Sequence, residues 1–200
     1  MTGNLLVDDK LDRELILELQ AGELNALGDM YDRHRHLVYR TALAITCDPD
    51  MAADLLQEVF LRLHRFAERI DPSRPLQPWL YRMTVNLSYT WIKRKTRWLR
   101  YVNEMAECIV MDRRPPSPHN LAERDESWRW VRQAILALPI QQRMVVVLYY
   151  INELSLREIS DILEIPVGTV KSRLHYARRV LKKQLGAHRE VLRTVFYETT

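Results

Sequence analysis

Apolar residues recur at a helical period through nearly every segment of this 200-residue chain, and only five glycines interrupt them. Such patterning constrains the fold strongly, because only a helix gathers residues i, i+3, i+4 and i+7 on one face. Helices are expected over about Leu11–Gln20, Leu24–Thr46, Met51–Phe66 and Leu76–Trp98. Leu27, Tyr31, Val38, Ala42 and Ile45 make the stripe of the second. Leu55, Leu56, Val59, Phe60 and Leu63 make that of the third, and Leu76, Leu80, Met83, Leu87 and Trp91 that of the fourth. Cys47-Asp48-Pro49-Asp50 reads as a turn with Asp50 as N-cap, and Glu68–Pro75 as a loop punctuated by Asp-Pro and Arg-Pro.

From about Arg100 to Asn120 the period fails, and MDRRPPSPHN clusters prolines with polar residues, which is linker chemistry. Periodicity resumes at Trp128, Val131, Ile135 and Leu138. Met144–Tyr150 (MVVVLYY) has the β propensity of a buried strand, but helices flank it and no other segment offers a partner, so a buried helix is expected. The chain therefore reads as all-α, with two small helical domains joined by a flexible linker. About 20 linker residues at roughly 3.3 Å each reach some 66 Å, close to two turns of duplex DNA at roughly 35 Å per turn. One chain could touch two separated sites on a duplex.

The segment SLREISDILEIPVGTVKSRLHYARRVLKKQL (Ser155–Leu185) carries the most chemistry. Ser155 and Glu158 have capping-box spacing, Leu156, Ile159, Ile162 and Leu163 form a stripe, and Pro166 stops one helix and suits entry to the next. In the second helix Val167, Val170, Leu174, Ala177 and Leu181 face inward, while Lys171, His175, Arg178 and Lys182 share another face. Between Pro166 and Arg189 lie seven Lys or Arg and no acid. A helix-turn-helix presented this way fits a major groove, its first turns near base edges and its basic flank along phosphates. A merely solvated basic helix would not need the capped preceding helix and the short turn.

The fourth helix repeats that logic. Arg82, Asn86, Tyr89 and Lys93 share a face beside Arg94, Lys95 and Arg97, a mixture suited to single-stranded DNA: cations track phosphates, aromatics stack, and an amide hydrogen-bonds an unpaired base. Trp79 and Trp91 read as core residues. The third helix leaves Asp54, Gln57, Glu58, Leu61, Arg62 and Arg65 outside, a mixed face better suited to a protein than to DNA. Net charge is only +4, but its distribution is uneven: residues 1–30 hold seven acids and two bases, and Tyr81–Arg100 six bases and no acid. Different faces should meet different partners.

No run of about 18 apolar residues spans a membrane, and the N-terminus lacks signal-peptide patterning. Cys47 and Cys108 are too few for a disulfide framework or a thiolate metal site. His34 and His36 do not share a helix face. No phosphate-cradling glycine loop, metal-ligand cluster or paired carboxylates point to an enzyme.

These motifs, in this order, resemble the sigma factors of bacterial RNA polymerase, most closely the extracytoplasmic-function (ECF) branch of the sigma-70 family, which keeps only regions 2 and 4. DLLQEVFLRLHRF (Asp54–Phe66) resembles the region 2 helix that docks on the clamp helices of the β′ subunit, which implies polymerase contacts by Asp54, Gln57, Glu58, Leu61 and Arg62. PWLYRMTVNLSYTWIKRKTR (Pro78–Arg97) resembles the part of region 2 that melts and reads the −10 element, which implies roles for Arg82, Asn86, Tyr89 and Lys93. Asn86 matches the residue that helps accept a flipped base, and Glu68–Pro75 matches the loop forming much of that pocket, here proline-rich and without the glycine often found in relatives. Ala137–Leu185 resembles region 4, where Lys171, Ser172, Arg173, His175 and Tyr176 match positions near the −35 element and Arg178 extends their flank.

The resemblance implies region 2 over residues 1–99, a linker over 100–123, region 4 over 124–187 and a tail over 188–200. It implies binding without catalysis, metal or cofactor. The implied partners are core polymerase through its β′ clamp helices and β flap, promoter DNA, and a controlling anti-sigma protein, in a cytoplasmic protein associated with the nucleoid when active. The alternative is a stand-alone helix-turn-helix regulator, which would need neither the Asp54–Phe66 helix nor the Asn86 face.

Overall fold

A computed structural model describes residues 11–106 and 126–185, all of it helix and connecting turn, with no strand among the described residues. Residues 1–10, most of the expected linker and the C-terminal tail lie outside them. The first four helices are α1 (Asp12–Gln20), α2 (Leu24–Thr46), α3 (Pro49–Arg65) and α4 (Leu76–Ala106). The last four are α5 (Glu126–Leu136), α6 (Ile140–Val146), α7 (Leu156–Leu163) and α8 (Val167–Leu185).

The helical stripes close an N-terminal core in which Leu15, Ile16, Met30, Val38, Val59, Leu63, Leu76 and Leu80 are buried. Each such side chain contributes about 1.5–3 kcal/mol of burial. Polar ties fix the outer helix to that core. Asp12 at the start of α1 accepts from His34 Nε2 and from Arg33 Nη1, both at 2.9 Å. Gln20 Nε2 donates to the carbonyls of Ala67 and Ile70 at 2.9 Å, joining the end of α1 to the turn after α3.

Helix α3 begins two residues earlier than the sequence reading places it. Asp48, not Asp50, is the N-cap: its Oδ1 accepts from Met51 N at 3.1 Å while Pro49 occupies the first helical position. Proline suits that position because its fixed φ is already helical and its missing N–H would have no partner there. Cys47, which ends α2 in a left-handed conformation (φ 53°), supplies the reversal. Helix α4 continues to Ala106, past the expected end near Trp98 and into the first residues of the expected linker.

Met144–Tyr150 is the buried helix expected. Its first part completes α6, and Val147–Ile151 continue as a wide π turn, with Val145, Val146, Val147 and Leu148 all 2 % exposed or less. Ile159 and Ile162 of α7 and Val170, Leu174, Ala177 and Leu181 of α8 close on these residues. This C-terminal core also reaches across the domain boundary. Ile45 of α2 and Tyr81 and Val85 of α4 are buried in it, and Leu37, Ala44, Tyr89 and Ile92 pack at its edge. The two domains, separate in the sequence reading, are docked.

Candidate nucleic-acid and partner-binding surfaces

The helix-turn-helix is built on the capping box read from sequence. Ser155 N donates to Glu158 Oε2 at 2.7 Å, and Glu158 N donates to Ser155 Oγ at 3.3 Å. These hydrogen bonds hold the Glu158 carboxyl below the usual glutamate range. Glu164 ends α7 in the left-handed region (φ 53°), and Ile165 N donates back to the Ser160 carbonyl, so the turn to Pro166 is tight. With Val170, Leu174, Ala177 and Leu181 buried, the opposite side of α8 is set outward.

There Lys171, Ser172, His175 and Tyr176 are exposed, Tyr176 at 54 % with the His175 ring edge-on to it at 5.8 Å. Ser172 Oγ donates to the Thr169 carbonyl at 3.0 Å. Arg173 is half-buried and its Nη2 donates to Gln141 Oε1 at 3.1 Å, so it leans toward α6. Arg178 is engaged within the domain. Its Nε donates to Tyr150 Oη at 2.7 Å, and its guanidinium lies 5.6 Å from the ring centres of both Tyr149 and Tyr150. Burial pushes the Tyr150 hydroxyl up, partly offset by that arginine. Arg178 braces the middle of α8 against the π turn.

On α4, Asn86 is exposed, and Lys93 Nζ sits 5.0 Å over the Tyr89 ring, where its hydrogen bond holds the phenol below its ordinary value. Lys95 lies 4.5 Å over Trp91, and Arg94 and Arg97 are exposed. Trp79 and Trp91 are half-buried, the former packed on the N-terminal core. Arg82 departs from the free cationic face expected of it. Its Nη1 donates to Glu164 Oε1 at 2.8 Å and its Nη2 to the Asp161 carbonyl at 2.6 Å, both on the helix-turn-helix. In the Glu68–Pro75 loop, Ala67–Arg69 form a short 3₁₀ turn and Ile70 is buried. Asp71 Oδ1 accepts from Ser73 N and Oγ at 2.9 and 2.6 Å, which holds its carboxyl below the ordinary aspartate range.

On α3, Asp54 and Gln57 are exposed and Leu61 stands 58 % exposed. Glu58 and Arg62 pair with each other at 2.6 Å across one helical turn, and Arg62 Nη1 reaches Met83 Sδ at 3.9 Å. The open part of this face is therefore an acid, an amide, a large aliphatic side chain and the exposed Arg65. That combination is suited to a protein surface.

Sequence reasoning missed the residues that dock the domains. Tyr81, Val85, Tyr89 and Ile92 recur at i, i+4, i+8 and i+11, a second stripe beside the basic face, and that spacing was the available signal. Buried Asn152 donates from Nδ2 to Thr41 Oγ1 at 2.9 Å. Arg143, also buried, donates from Nη1 to the Ile45 carbonyl at 2.9 Å and from Nη2 to the Leu136 and Leu138 carbonyls. Arg132 Nη2 donates to the Cys47 carbonyl. Burial pushes the Cys47 thiol up, with the two arginines opposing it weakly. Among the described residues no cluster of His, Cys, Asp or Glu could hold a metal, and no helix is long and apolar enough to cross a membrane.

Two family models match, Sigma-70 region 2 over residues 30–98 and Sigma-70, region 4 over residues 128–181. The ECF RNA polymerase sigma factor SigW of Bacillus subtilis is 34 % identical over 185 residues, covering 86 % of this chain and 96 % of that protein. SigL of Mycobacterium tuberculosis is 32 % identical over 174 residues, covering 84 % and 96 %. Among solved structures, CnrH in complex with the cytosolic domain of CnrY has a similar fold, with a TM-score of 0.63 over 88 % of this chain and 98 % of that one at 22 % identity. RpoE from Bartonella quintana, in complex with the anti-sigma factor NepR, gives a TM-score of 0.58 over 86 % and 99 % at 18 % identity. With both regions present in order and relatives aligned almost end to end, the chain belongs to the ECF sigma factors of the sigma-70 family.

Proposed function

We propose that this sigma factor divides promoter recognition among three helical faces. Helix α8 reads the −35 duplex through Lys171, Ser172, Arg173, His175 and Tyr176. Helix α4 holds the melted −10 strand: Asn86 accepts an unpaired base, Tyr89 stacks, and Arg82 and Lys93 meet phosphates. Helix α3 docks on core RNA polymerase through Asp54, Gln57 and Leu61, with Glu58 and Arg62 completing the face, and the β flap holds the C-terminal domain. Extruding a base costs a few kcal/mol, which a preformed pocket and polymerase contacts offset. The residues act by binding, and none is assigned a catalytic role.

One observation carries this reading. A recognition-helix face open to a groove and an exposed asparagine on a basic, aromatic helix occur in one chain that matches both sigma-70 regions. A stand-alone regulator has no use for the second or for the α3 face. The structural neighbours are solved with partner proteins, one of them the anti-sigma factor NepR. This chain is accordingly proposed to be held by such a protein in the cytoplasm and to join the nucleoid on release. Run-off transcription with core polymerase, with and without the protein, is the test. A promoter-dependent transcript that needs the protein is expected; neither a transcript nor co-purification with core would overturn the assignment.

A further inference from the structure

The Glu68–Pro75 loop joins α3 to α4, but a residue of neither helix holds its start. Gln20, the last residue of α1, donates from Nε2 to the Ala67 carbonyl and to the Ile70 carbonyl, both at 2.9 Å. An amide nitrogen carries two N–H groups, so this contact uses both and fixes the plane of the side chain. The turn after α1 aims it. Ala21 N donates to the Leu17 carbonyl and Glu23 N to the Glu18 carbonyl, around Gly22 at φ 93°, a conformation that costs glycine little. At the other end of α1, Asp12 is tied to Arg33 and His34. Leu15, Ile16 and Leu19 seat the helix in the core that also holds Ala67, Ile70 and Leu76.

Buried Ile70 and Leu76 anchor the two ends of the exposed stretch, in which Asp71, Ser73, Arg74 and Pro75 face solvent. Asp71 binds Ser73 through N and Oγ and pairs with Arg74 Nε at 3.2 Å, so these residues form one small unit. Glu68–Pro75 contains no glycine, and Pro72 and Pro75 restrict both themselves and the residues before them. A stiff unit takes its direction from its point of attachment. Here that point is the Ile70 peptide: with its carbonyl held by Gln20, the ψ of Ile70 stays at 126°, and the planar peptide sets the heading of Asp71.

We infer that Gln20 is a positioning residue for −10 selectivity: by holding the Ala67 and Ile70 carbonyls it sets the path of the Glu68–Pro75 loop and so the bases that loop accepts. The selectivity rests on the sigma-factor reading above, whereas the hold on the loop does not. Gln20 is half-buried behind the loop and acts through it. A glutamine is suited to this task because it donates twice without bringing charge to two carbonyls. Methionine matches its length but donates nothing, and asparagine keeps the amide but is one methylene short.

The test compares the full chain with Gln20→Met and Gln20→Asn, and with Asp12→Ala, which loosens α1 at its other end. Circular dichroism verifies folding, and Gln20→Asn carries the test if Gln20→Met does not fold. Hydrogen exchange on the free proteins should show peptides covering residues 66–76 exchanging about threefold faster or more in the Gln20 variants. Holoenzyme then transcribes barcoded templates made from a promoter the parent uses, with either the −10 or the −35 element randomised. One base in such a site normally carries roughly 5- to 150-fold discrimination. At the −10 positions the loop reads, Gln20→Met should lower it about fivefold, leaving −35 preferences as in the parent. Asp12→Ala should lower the melting temperature and keep both preference profiles. Unchanged exchange in the Gln20 variants, transcription reduced evenly over all −10 sequences, or equal flattening by Asp12→Ala would overturn the positioning role. Failure of the parent chain to support any transcription would instead remove the sigma reading, while the exchange rates still decide whether Gln20 holds the loop.

Discussion

Lys171 and Arg178 lie on the same basic helix, yet the structure gives them different surroundings, and salt dependence can separate them. Lys171 is exposed on the first turns of α8 and has no side-chain partner among the described residues, so alanine there removes a charge and little else. Its effect on folding should stay within about 0.5 kcal/mol. If Lys171 neutralises a phosphate, its loss makes the slope of log K against log salt less negative by about 0.9. Between about 50 and 200 mM salt, wild-type affinity should then fall about 3.5-fold further than that of Lys171→Ala. Arg178 is committed to Tyr150 at 2.7 Å and to two ring faces. Arg178→Ala should leave the slope unchanged and instead cost about 1 kcal/mol or more of stability. Holoenzyme binding to double-stranded promoter DNA, measured by fluorescence anisotropy at several salt concentrations, gives the slopes, and urea melts of the free chain give the stabilities. A slope unchanged in Lys171→Ala but shallower in Arg178→Ala would show that DNA lies along the other edge of α8.

Asp54→Ala with Gln57→Ala should weaken binding to core polymerase by roughly fivefold or more while leaving −35 duplex binding intact, as measured by pull-down and anisotropy; equal loss of both would contradict the division of labour. Arg173→Ala should weaken −35 binding and reduce the salt slope, and because Arg173 must also leave Gln141 to reach DNA, an unchanged slope and affinity would show that the Gln141 contact is its whole role. Ser155→Ala should cost about 1 kcal/mol of stability. The Glu158 carboxyl, held below its ordinary value of 4.5, contributes stability that is present above that pH and lost as pH falls through the lower folded value. Glu158→Ala should therefore melt below wild type at neutral pH, with the gap closing in acid; a gap that widens in acid would reverse the assignment.

The features legible in the chain were those decided within a few residues. Leu24–Thr46 ends where its stripe ends, and Ser155 with Glu158 announces its own capping box, because both depend on neighbours one turn away. Asp48 was misjudged for Asp50 although the rule was available: a proline at the first helical position puts the cap immediately before it. Met144–Tyr150 could be read as a helix only from its context, because β-branched and aromatic residues favour strands wherever tertiary burial does not decide. Arg82 marks where local reading stops. Nothing within four residues of it distinguishes a cation waiting for phosphate from one already holding a carboxylate, and its partner Glu164 lies in the other domain.

The same ambiguity explains why α4 carries two faces in one helix. Phosphate and carboxylate present similar oxygen acceptors to a guanidinium, and a nucleobase and an apolar core offer Tyr89 similar surfaces. A helix with a cationic, aromatic face suited to single-stranded DNA is for that reason also suited to be covered by protein, provided the cover brings an acid and an apolar seat. The helix-turn-helix brings both, in Glu164 and in the cluster around Val147, Ile159 and Ile162. Its own groove-facing side chains stay outward while it does so. The residues that would hold promoter DNA open are thus the ones a closed chain can use on itself, and Asn86, which has no counterpart on the C-terminal domain, is left exposed.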